Sequence, residues 1–122
     1  MRYGLPFACL LLVVMSFTAC YYDVEEELYP TVACDTAMVN YSQTVMGIIS
    51  QHCYSCHDAN ANFGGVTLEG YAALMTYVDN GALLGVIEHE AGFSPMPKNQ
   101  AQLVACDIEK IKVWISAGAL NN

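Results

Sequence analysis

The sequence predicts an all-α domain, and three apolar patterns predict it. Val45, Ile48, Ile49 and Cys53 recur at the spacing of one helix face, Tyr71, Leu74, Met75 and Val78 do so again, and Val104, Ile108, Ile111 and Ile115 a third time. No segment requires a strand. The 122 residues allow one domain. They are 55% hydrophobic and only 13% charged, against a usual charged share of about 25%, which excludes a disordered acidic tail. A formal net charge of -8 excludes a binder that relies on attraction to nucleic-acid phosphate. Six cysteines in so short a chain point to an oxidising compartment, a metal site or a covalently held cofactor.

Residues 1–19 have the layout of a secretory signal peptide: Arg2 near the start, an apolar run from Leu5 to Met15, then the small-residue segment Ser16 to Ala19. The run is shorter than the roughly 20 residues that span a bilayer, and Cys9 inside it is discarded with the peptide. Phe17-Thr18-Ala19-Cys20 resembles the lipobox of bacterial lipoproteins. That resemblance implies cleavage before Cys20, a diacylglyceryl group on its thiol and acylation of its new amine. Ordinary cleavage nearby, leaving Cys20 as a free or disulfide-bonded thiol, is the alternative. About two lipid signals suffice for stable membrane attachment, and loss of Arg2 makes the mature chain one unit more negative. Residues 20–40 then form the lipidated N-terminus and an acidic tether. Tyr21 to Pro30 carries four acids and no amphipathic period, and ten residues reach at most about 35 Å. The expected location is the extracytoplasmic side of a bacterial membrane, periplasmic or on the outer surface.

Residues 41–122 form the domain. Ser42 is the expected N-cap of its first helix, which delivers Cys53-Tyr54-Ser55-Cys56-His57 at its end. C-x-x-C-H is the signature for covalent attachment of a c-type haem. Two thiols on one helical turn add to the two vinyl groups of one haem edge, and the following imidazole reaches the iron as proximal ligand. The export signal agrees, because haem c is attached outside the cytoplasm. A zinc site would need a second ligand pair, whereas Cys34, Cys106, His52 and His89 are scattered singly. A thioredoxin-like C-x-x-C would follow a strand in a βαβ pattern, and a Cys53–Cys56 disulfide would leave His57 unexplained.

Asp58 to Gly65, rich in Asn, Asp and Gly, reads as a loop, and a backbone carbonyl there is expected to orient the free ring nitrogen of His57. Glu69 to Val78 and Leu83 to Glu88 read as two short helices separated by a stop at Asn80-Gly81. Met75, His89 and Met96 are the candidates for the second axial position. Met96 has the best surroundings: Pro95 and Pro97 fix the backbone on either side, and a thioether, a weak ligand, is easier to hold when its loop is already stiff. Met75 reads as core filler within a helix. His89, between Glu88 and Glu90, reads as a solvated residue that competes because imidazole binds haem iron strongly. His52 shares the helix of the attachment motif and cannot reach the distal face. In the last helix Val104 is a poor N-cap, Gly118 is the expected stop, and Trp114 is expected to pack between this helix, the first helix and the haem edge.

The order of helix, C-x-x-C-H, Gly64-Gly65 loop, middle helices, Pro95-Met96-Pro97 and a final helix with Trp114 resembles the small monohaem class I cytochrome c domain. The resemblance implies an all-α cytochrome c-like fold around one covalent haem c, with Cys53 and Cys56 as thioether sites, His57 as proximal ligand and Met96 as distal ligand. Cys34 and Cys106 are then left as one pair. In an exported protein they are expected to form a disulfide, reasonable if the first and last helices cross as in that family, and stabilising by about 3 to 4 kcal/mol for a loop of roughly 70 residues.

With both axial positions filled there is no vacant place for a substrate, so the expected role is a one-electron carrier and not an enzyme. Axial methionine raises the potential relative to bis-imidazole ligation. The acidic chain favours redox partners with a basic docking patch; no nucleic-acid partner is expected, and the membrane is reached through the lipid anchor. A haem-bearing subunit of a larger respiratory oxidoreductase shares every one of these features. A haem-based ligand sensor would differ in keeping a five-coordinate ferrous iron.

Overall fold

In the computed structural model, which describes residues 33–122, Asn40 opens the helical part of the chain. The expectations for the signal peptide of residues 1–19, for lipidated Cys20 and for the acidic run Tyr21 to Pro30 lie outside the described residues. Asn40 is extended, and its Oδ1 accepts the N–H groups of Gln43 at 2.9 Å and Thr44 at 3.4 Å. These are donors that a helix start leaves without partners. Ser42, the cap expected from sequence, is already inside the helix, where its N–H donates to the Asn122 carbonyl at 2.9 Å. The difference is one of backbone: a capping side chain must stand on an extended residue, and Asn40 is the one that does.

A π-helical turn, Tyr41–Val45, runs into α1, Met46–His52. Cys53 breaks the helix at φ −121°, and α2, Tyr54–His57, carries the rest of the attachment motif. A 3-10 turn, Phe63–Gly65, follows. Next come α3, Tyr71–Asp79, α4, Ala82–Ile87, and α5, Ala105–Ser116. Among the described residues there is no strand, and no helix is long and apolar enough to cross a membrane. The all-α class stands as read. α3 starts at Tyr71 and not at Glu69, because Gly70 sits at φ 89°, outside the helical region. Glu69 instead accepts the Ala59 N–H at 2.8 Å and ties the loop after the motif to the start of α3.

The core draws on every helix except α2. Val45, Ile49, Leu74, Ile87, Ile111 and Trp114 are fully buried, each contributing about 1.5 to 3 kcal/mol relative to exposure. Tyr41 stacks on Trp114 with ring centroids 5.9 Å apart and meets Tyr71 edge-on at 5.1 Å. Two of the three polar tips are paired: Tyr71 Oη donates to the Ala119 carbonyl at 2.8 Å and Trp114 Nε1 to the Leu120 carbonyl at 2.9 Å. The segment after α5 thereby folds back over the first helix, and Asn122 Oδ1 accepts the Tyr41 N–H.

Gly118, the expected stop, has φ 96°. Ala119 N–H reaches the Trp114 carbonyl and Gly118 N–H the Ile115 carbonyl, the two bonds of a Schellman ending. The compact unit runs Cys34–Asn122. At its start Cys34 and Cys106 lie at disulfide distance, S–S 2.07 Å, which joins the segment before the first helix to the first turn of α5.

Candidate functional site

A cavity of about 530 Å³ opens between the attachment motif, α4 and the loop that carries Met96, within the roughly 300 to 1,000 Å³ of small-molecule and cofactor sites. Cys53, Cys56, His57 and Met96 all line it. Its wall is mostly apolar and includes Val66, Leu68 and Tyr77 together with Leu83, Val86 and Ile87 of α4. Phe63, Pro97 and Lys98 also line it, and Phe63 and Lys98 are exposed.

The motif is held by its own turn. Cys56 N–H and His57 N–H both donate to the Cys53 carbonyl, at 3.1 and 2.9 Å, so the two thiols belong to one helical turn. Both are free. Burial pushes the Cys53 thiol up from its ordinary 9.0 to about 11, so it stays protonated at neutral pH.

His57 Nδ1 lies 3.2 Å from the Val66 carbonyl. A carbonyl only accepts, so Nδ1 carries the proton and, in the neutral ring, Nε2 carries the lone pair. The expected carbonyl thus exists, one residue beyond the Asp58 to Gly65 loop. The main-chain bond from Leu68 N–H to the His57 carbonyl, 2.8 Å, holds the same strand of loop against the motif.

Met96 is fixed from α4. The last four carbonyls of a helix lack partners within it, and in α4 the segment that follows supplies all four: Glu88 N–H to Leu84, Glu90 N–H to Gly85, Met96 N–H to Val86 at 3.0 Å, and Gln102 Nε2 to Ile87 at 2.9 Å. Gly85 is buried because the Phe93 ring lies against it, and a Cβ there would overlap the ring. The segment after α4 is therefore held against it by the Phe93 ring and these hydrogen bonds.

The other candidates fall elsewhere. Met75 packs against the core and does not line the cavity. His89 is exposed and does not line it either; its Nε2 donates to the Met96 carbonyl at 3.0 Å. His52 does line the cavity, beside Cys53, and pairs with Asp107 at 3.7 Å. Trp114 packs on the first helix as expected but is not part of the cavity wall, so its expected contact with a haem edge is not made by this geometry. Tyr77 and the Leu83, Val86, Ile87 face of α4 were not singled out in the sequence. Their three-and-four spacing was the available signal, but it marks burial without saying what is buried.

Two free thiols on one turn, an imidazole of fixed tautomer, a thioether on a stiff loop and an apolar wall form a donor set and a cradle that fit a covalently held haem. Among the described residues no group of three or more His, Cys, Asp and Glu side chains is gathered to hold a bare metal ion. No protein-family model, curated protein or solved structure matches the chain.

Proposed function

We propose that the protein is a monohaem cytochrome c-type electron carrier, exported and lipid-anchored through Cys20 on the extracytoplasmic side of a bacterial membrane. The observation that carries this reading is the convergence of Cys53, Cys56, His57 and Met96 on one apolar cavity. Cys53 and Cys56 would hold the haem through thioether bonds from their free thiols, and His57 Nε2 and the Met96 thioether would be its iron ligands. The bound group would supply one-electron exchange between ferric and ferrous iron.

The chain does the rest. The Val66 carbonyl keeps the proton on Nδ1 of His57 and so keeps Nε2 available, a partner that also raises ligand basicity. The α4 wall excludes water and lowers the local dielectric, which, like thioether ligation, favours the ferrous state. With His57 and Met96 both on the cavity, the protein itself would supply both iron ligands and leave no open position for substrate, which favours a carrier over an enzyme. Redox partners with a basic docking patch suit the formal charge of -8, with association weakening as salt rises.

The test is the optical spectrum of the full chain produced with haem-maturation machinery. A haem c spectrum with the weak red methionine-to-iron band, lost in Met96→Ala, is the expected result. A ferrous protein that binds carbon monoxide without any change at Met96 would favour a ligand sensor.

A further inference from the structure

We propose that His89 is a positioning residue that clamps the backbone of Met96 and so keeps its thioether on the cavity; the proposal rests on the reading of Met96 as an axial ligand and deepens it. Three observations converge on His89. Its Nε2 is 3.0 Å from the Met96 carbonyl, and since a carbonyl only accepts, the ring nitrogen is the donor. With Met96 N–H bonded to Val86 at 3.0 Å, both backbone hydrogen-bonding groups of Met96 are held. The neighbouring prolines restrict the backbone on both sides.

The second observation is the backbone of His89 itself. Glu90 N–H bonds to the Gly85 carbonyl, the long bond of a Schellman ending for α4, which puts His89 at the left-handed position after the cap with φ 56°. Gly or Asn ordinarily fills that position, and Gly118 does so at the end of α5. A histidine there costs backbone strain that glycine would not.

The third is the replacement of the short Schellman bond. The Val86 carbonyl, which that motif gives to the left-handed residue, accepts the Met96 N–H. The α4 ending is thus built around Met96 at two points, one on α4 and one on the ring of the residue that ends it.

His89→Gly and His89→Gln separate the ring from the strain. Glycine relieves the backbone and removes the donor; glutamine keeps an amide donor on a chain of similar reach. In the haem-loaded full chain, His89→Gly is expected to keep the red methionine-to-iron band while imidazole displaces Met96 about 5-fold more readily, the loss of one ordinary hydrogen bond. His89→Gln is expected to restore most of that difference. The Met96 amide, followed by hydrogen exchange in the protein as purified, is expected to exchange faster in His89→Gly and near the parent rate in His89→Gln. Unchanged imidazole affinity and exchange in His89→Gly, or a His89→Gln chain no better than His89→Gly, would overturn the proposal. Absence of attached haem would count against the carrier reading alone, and the exchange comparison, which needs no haem, would still decide the clamp.

Discussion

His57 Nδ1 donates to the Val66 carbonyl at 3.2 Å, and that carbonyl is delivered by two left-handed glycines, Gly64 at φ 70° and Gly65 at φ 71°. The Val66 N–H closes the same turn on the Phe63 carbonyl. Alanine at either glycine meets no neighbouring atom but has to adopt the left-handed backbone, costing about 1 to 2 kcal/mol. Gly65→Ala is expected to lower the urea midpoint accordingly, with Gly65→Asn costing less because Asn tolerates this conformation. Equal losses for the two variants would remove the backbone explanation.

The contact between Gly85 and Phe93 predicts a sharper loss on the other side of the cavity. Gly85→Ala puts a methyl group into the Phe93 ring, an overpacking typically worth about 1 to 3 kcal/mol. Because the ring belongs to the Met96 loop, the same variant should raise proteolytic cutting between Glu90 and Lys98. Pairing it with Phe93→Leu should recover part of the stability.

The Cys34–Cys106 pair closes a sequence separation of 72 residues. Replacing both by Ala is expected to cost about 4 kcal/mol in chemical unfolding. Mass determination after alkylation without reduction checks the pair directly, with no label expected on either residue.

Cys53 predicts a pH dependence in protein made without haem. Its folded pKa of about 11 lies above the ordinary 9.0, so the thiol is protonated in the native state where an unfolded one has begun to ionise. Alkylation at pH 8 should run on the order of 100-fold slower than in denaturant and rise about tenfold per pH unit towards pH 11. The sign for stability follows: the contribution is fully present below pH 9 and lost as pH rises through about 11. Tyr41, raised by burial and then by Tyr54 and Tyr71, acts in the same direction.

Much of this was legible in the residues. The three helical faces were, because burial imposes the same period whatever is buried, and Gly118 was, because a left-handed residue after a helix is usually glycine. The cap was misplaced at Ser42 because Ser and Asn are equally good caps, and the bond from Ser42 to Asn122 that draws the serine into the helix joins the two ends of the domain. Carbonyl partners such as Val66 leave no side-chain signature at all. His89 reads in sequence as a polar residue between two acids, and only its left-handed backbone and its bond to Met96 give it a place. Trp114 showed a large apolar residue on a helix face, which specifies a core without specifying which core.

The most direct test of the central claim is the intact mass of the exported chain produced with haem-maturation machinery. The account predicts a chain heavier by one haem that survives acid extraction, and loss of that mass in Cys53→Ala/Cys56→Ala. A chain that carries no haem, with Cys53 and Cys56 both open to alkylation after unfolding, would contradict it.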